Sequence, residues 1–128
     1  MVYYYSKTVN LDFDEAVSSV ARALKKEGFG ILTDIDVKST IKKKLDVDFR
    51  NYRILGACNP PFAYKALQAE DKIGTMLPCN VIVQETADGG IEIAAIDPIA
   101  SMKAIDNPKL SEIAEKIGQK LKTVIETV

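Results

Sequence analysis

Two cysteines, each followed by an asparagine, are the residues of this chain whose type and setting best suit chemistry. Cys58-Asn59 runs into Pro60-Pro61, and Cys79-Asn80 follows Pro78. A deprotonated thiol is a nucleophile and a soft-metal ligand, while an asparagine amide offers a donor and an acceptor to a buried polar ligand. Both pairs lie in stretches without charge, 54–64 and 73–84. The chain of 128 residues contains no histidine. That excludes histidine-based triads, imidazole metal ligands and an imidazole pH switch. Any general acid or base must then be Asp, Glu, Lys, Tyr or Cys. None of these stands in a recognisable catalytic arrangement, so no catalytic residue or cofactor is assigned and an enzymatic role stays open.

Asn59 suits a helix N-cap with Pro60 in the first turn, which places Cys58 beside a helix N-terminus. There the helix dipole and free amides lower a thiol pKa. Cys79 alternates with Val81 and Val83 and is expected to face the core; unpaired cysteine is in any case among the most buried residue types. If the strands carrying the two pairs run antiparallel, Cys58 and Cys79 meet at one edge of the sheet, and this is the commoner arrangement. A second candidate is the basic segment 36–53. Lys38, Lys42, Lys43, Lys44, Arg50 and Arg53 face three aspartates, a local charge of +3 that suits an anionic ligand or acidic partner. The lysines point around a helix as on a solvated face, but Arg53 alternates with Leu55 and Ala57 and is expected to point into a cleft.

Elements that position these residues follow from period and punctuation. Tyr, Val and Thr predict a strand over 2–9. Asp12 with Glu15 forms a capping box opening a helix with Phe13, Val17, Val20 and Leu24 on one face, ended by Gly28. A second strand follows over 29–35, and then a short helix capped by Asp36. The third strand spans 51–58 and a helix 62–70. Strands over 77–86 and 91–97 form a hairpin across Asp88-Gly89-Gly90. Pro98 opens a helical turn. Asn107-Pro108 starts a last helix striped by Leu110, Ile113, Ile117, Leu121 and Val124, in which Gly118 marks a close backbone approach. The order β-α-β-α-β-α-β-β-α predicts a single α+β domain over 1–128, a mainly antiparallel sheet with helices packed on one face.

Composition adds exclusions. Seventeen Lys and Arg against eighteen Asp and Glu leave a net charge of −1, which removes the electrostatic case for nucleic acid. The longest uncharged stretch is 12 residues, too short for the roughly 20 that cross a bilayer. The N-terminus lacks the pattern of a signal peptide, so a cytoplasmic protein is expected, with its thiols reduced.

The segments Gly28-Phe29-Gly30-Ile31-Leu32-Thr33-Asp34-Ile35-Asp36, Tyr52 to Pro60, Leu77-Pro78-Cys79-Asn80-Val81 and Ala95-Ile96-Asp97-Pro98 resemble the domain-of-unknown-function family 302, in order and over nearly the whole chain. The resemblance implies a small α+β fold of the TATA-binding-protein-like group and a homodimer. It supplies no activity, and the chain's charge argues against converting that fold into DNA binding. It adds Asp97 and Pro98 to the residues of interest. The expected site is a small-ligand pocket near Cys58, Asn59, Cys79, Asn80, Arg53 and Asp97, in a homodimeric binding or regulatory module. The alternative is a thiol redox or soft-metal protein using Cys58 and Cys79; a third is an interaction domain whose Cys and Asn residues serve turns and caps.

Overall fold

Five runs of alternating or β-branched residues become the strands of one antiparallel sheet in the computed structural model, which describes residues 2–128. In chain order the elements are β1 (Tyr4–Val9), α1 (Phe13–Lys26), β2 (Gly30–Asp36), α2 (Val37–Leu45), β3 (Tyr52–Cys58), α3 (Pro60–Ala69), a 3-10 helix (Asp71–Met76), β4 (Cys79–Glu85), β5 (Ile91–Ile96), α4 (Pro98–Ser101) and α5 (Pro108–Thr127). The sheet order is β1-β5-β4-β3-β2. The fold is the α+β arrangement the sequence predicts, with the 3-10 helix as an unforeseen element. That segment has neither a helical stripe nor strand alternation to announce it.

Strand alternation sorts the sheet into two faces. On the helix face, Tyr5, Ala95, Val81 and Leu55 lie across from one another in register. They join Val20 and Leu24 of α1, and Leu121 and Val124 of α5, in the main core. On the outer face one register row reads Ser6, Ala94, Ile82, Ile54 and Ile35. Edge strand β2 is exposed along its whole length.

Helix ends are fixed by named groups. The Asp12 carboxylate accepts from the Glu15 amide at 2.9 Å. The Asn107 side-chain oxygen accepts from the amides of Lys109 and Leu110, while its Nδ2 donates to the Ala69 carbonyl at 2.8 Å. One side chain thereby caps α5 and ties it to the end of α3. At the other end of α5, Lys7 Nζ donates to the carbonyls of Glu126 and Val128, where a cation suits the negative end of the dipole.

Two glycines lie where elements meet. A Cβ at Gly118 would lie 3.4 Å from the Tyr5 hydroxyl and 3.5 Å from Pro98 Cδ, ordinary contact distances, so the close approach expected from the sequence is not required there. Gly56 is tighter. Thr33 crosses directly over it, and Pro78 Cγ would stand 2.7 Å from a Cβ placed there. Gly56→Ala is therefore expected to lower stability by about 1–3 kcal/mol through overpacking, measured by urea unfolding. Adding Thr33→Ala recovers only part of the loss, because the Pro78 ring cannot rotate away.

Candidate functional site

Antiparallel pairing sets Ala57 opposite Cys79, so the two Cys-Asn segments do meet at one end of the sheet. The chain between them, α3 and the 3-10 helix, folds over that end. It packs a second small core of Ala66, Ile73 and Leu110 beside the main one. The seam between the two cores is a cavity of about 340 Å³. Its wall takes Phe29, Ala57, Cys79 and Ile117 from the main core and Ala66 and Leu110 from the second. Ala63, Gly74 and Ala114 also line it, and these short side chains leave the space open. Leu32 and Leu67 reach the same cavity while 67% and 43% exposed, so they mark its rim. No charged residue lines it.

Of the six residues expected at the site, Cys58, Asn59 and Cys79 line this cavity and the other three do not. Asn80 lies one residue beyond Cys79, so alternation turns it to the outer face, where it joins Tyr4, Tyr52 and Ile82 around a shallow depression. Arg53 is four residues before Ala57, about 13 Å along the strand. Its guanidinium is paired with Asp34 on neighbouring β2, with Nε 2.7 Å from Oδ1. The hydrogen bonds from Arg53 hold the Asp34 carboxyl below the usual carboxylate range, against the opposing effect of burial. Asp97 sits at the correct end of β5 but faces away from the cavity. Its Oδ1 accepts from the Ile99 amide at 3.0 Å, capping α4. After burial, the negative charge of the nearby Asp97 carboxylate raises the Tyr5 pKa. The basic segment is likewise engaged elsewhere: Lys42 pairs with Asp46 and Asp48 on the exposed surface.

Asn59 occupies the N-cap of α3, but its side chain makes no capping bond. Its Nδ2 donates instead to the Glu27 carbonyl at 3.2 Å, beside Gly28, whose φ of 86° turns the chain from α1 into β2. Pro60 and Pro61 carry no amide hydrogen. Of the first three residues of α3, only Phe62 retains one, so this helix start is a poor anion site. Cys58, one residue after Ala57, lines the same cavity as Cys79, and both thiols are free. Burial, then the neighbouring Cys58, pushes the Cys79 thiol from 9.0 to about 11. Among the described residues no cluster of three or more Cys, Asp or Glu is placed to hold a metal ion.

Sequence reasoning passed over the walls of the cavity, namely Phe62, Leu77, Met102, Leu110 and Ala114. The available signal was the absence of charge over 54–64 and 73–84 together with Ala63, Ala66 and Gly74, small residues where a packed core would carry larger ones.

These features define a small α+β protein whose one-sided helical layer leaves an apolar cavity at the end of an antiparallel sheet. The chain belongs to the family described as "Domain of unknown function DUF302", which matches residues 5–128. It is similar over 98% of both chains to the crystal structure of the uncharacterized conserved protein DUF302 from Bacillus stearothermophilus, at 28% identity and a TM-score of 0.91. No curated protein matches it. None of the described helices is long and apolar enough to cross a membrane.

The two thiols are expected to separate in reactivity. In the folded protein at pH 8, a disulfide-exchange reagent modifies Cys58 and leaves Cys79 unmodified. Unfolding in guanidinium releases the second thiol. The raised Cys79 pKa favours the folded state below pH 9, and that contribution fades between pH 9 and 11 as the unfolded chain sheds its proton first. Equal rates for both thiols in the folded state would contradict the burial of Cys79.

Proposed function

We propose that the protein is a homodimeric binding or regulatory module that holds a small neutral apolar molecule in the cavity between the sheet end and helices α3, α4 and α5. The observation that carries this reading is the wall of the half-open cavity of about 340 Å³, which carries no charged side chain. An apolar cavity of about 150 Å³ is enough to bind benzene, so this one suits a ligand of about two small rings. The volume also falls within the usual span for small-molecule sites, about 300–1,000 Å³. A carboxylate or phosphate would lose its hydration there without a compensating partner. The anionic ligand suggested by the basic segment and Arg53 is therefore disfavoured, and the reading keeps Cys58, Asn59 and Cys79 as cavity residues. Free thiols accord with a cytoplasmic setting.

The thiol redox or soft-metal alternative has less support. Cys79 is buried with a raised pKa, and among the described residues no third Cys, Asp or Glu stands by the two thiols to complete a metal site.

A second copy is proposed on the outer sheet face. The chain exposes 7783 Å², against about 6,700 Å² for a compact monomer of its mass. The excess, about 1,000 Å², is comparable with the roughly 800 Å² that each partner buries in a standard interface. Tyr4 is 40% and Ile35 46% exposed on this face, around half-buried Ile54, Ile82 and Ile96.

Two measurements test the proposal. In thermal unfolding, millimolar toluene or indole raises Tm while benzoate at the same concentration does not; a larger shift from benzoate would reverse the ligand class. In sedimentation equilibrium the chain runs as a dimer, and Ile82→Glu weakens association at least tenfold with little change in monomer stability. A wild-type chain that stays monomeric at 100 μM would refute the dimer.

A further inference from the structure

We infer that the cavity selects a ligand carrying one hydrogen-bond donor, a hydroxyl on an otherwise apolar frame, and that Asn59 Oδ1 is its acceptor. The inference rests on the proposed binding role of the cavity and narrows it. Asn59 is 7% exposed and lines the cavity. Its Nδ2 is turned to the Glu27 carbonyl, which leaves Oδ1 at the opposite end of the amide. An asparagine at an N-cap ordinarily gives that oxygen to an amide of the first helical turn. Here it makes no such bond. The prolines at the first two positions have no hydrogen to offer, and no donor among the described residues reaches Oδ1.

With no protein donor and not sealed from water, this oxygen can take a ligand's donor in place of water. The cavity wall cannot supply that donor itself. Apart from Asn59, the only side chains with polar hydrogens there are the thiols of Cys58 and Cys79, which are weak donors. Charged donors are excluded by the same wall, since an ammonium group would be buried with a neutral amide oxygen as its only acceptor. What remains is a neutral donor on a hydrocarbon frame, as in a phenol or a small alcohol. The rim of Leu32 and Leu67 would admit its apolar end as readily as its polar one, so Asn59 sets the orientation.

The test compares p-cresol with 4-methylanisole on the full wild-type chain by calorimetric titration. The two differ by one methyl, which caps the donor. Apolar burial alone favours the ether by about fourfold. Selection by Asn59 Oδ1 reverses that order, and p-cresol is expected to bind at least fivefold more tightly. Asn59→Leu, checked for native circular dichroism, restores the preference for the ether. Should that variant fail to fold, the wild-type Asn59 side-chain amide resonances read the same contact, moving with p-cresol and not with the ether. If both compounds bind and the ether is equal or tighter, the donor inference is overturned while the cavity remains a binding site. If neither binds at millimolar concentration, the cavity reading falls first, and the donor inference with it.

Discussion

The pairing of β3 with β4 is the constraint from which the rest of the site follows. Ala57 opposite Cys79 fixes where both strands end. The chain that joins them must then leave the sheet and return at the same edge. It does so through α3 and the 3-10 helix, an excursion long enough to build a second core of its own around Ala66, Ile73 and Leu110. Gly56 is the local condition for this register, because Thr33 and Pro78 both occupy the space a side chain would need. A cavity at this end of the sheet is therefore a product of topology before it is a product of any single side chain.

Packing explains why the seam does not close. Protein interiors are normally filled to the density of organic crystals, and an apolar void of this size forfeits contacts on every lining atom. Larger residues at 63, 66, 74 and 114 would fill it by the ordinary route. Instead the wall carries Ala, Ala, Gly and Ala, while contacts elsewhere fix where α5 lies. Gly118 faces Tyr5 and Pro98 at van der Waals distance, and Asn107 bonds α5 to Ala69.

Much of this was legible in the sequence. Capping by Asp12, Asp36 and Asn107 follows directly from residue type and spacing, and all three carboxylate or amide oxygens accept first-turn amides. The meeting of the Cys-Asn segments required only the antiparallel choice for β3 and β4. Arg53, Asn80 and Asp97 show where such reasoning fell short. Alternation correctly put Arg53 on the face of Leu55 and Ala57, but face says nothing about distance along the strand, and Asp34 on β2 already holds its charge. Asn80, one residue after Cys79, instead lines the depression on the outer face with Tyr4, Tyr52 and Ile82. Asp97 reached the right edge and was consumed by the cap of α4.

Asn59 is the case in which local rule and tertiary structure part. Its sequence context specifies an N-cap, and it occupies one. Yet two prolines leave Phe62 as the one first-turn amide among the first three residues, Asn59 makes no bond to it, and the Glu27 carbonyl, 32 residues earlier, claims its Nδ2. The bond fixes the α1–β2 turn against the start of α3 and so carries a structural function. By holding the amide at its nitrogen end alone, it also leaves the oxygen uncommitted on a residue that lines the cavity. Leucine at this position would give up the bond to Glu27, so the fold accounts for the nitrogen end of the side chain, and the proposed ligand would account for the oxygen.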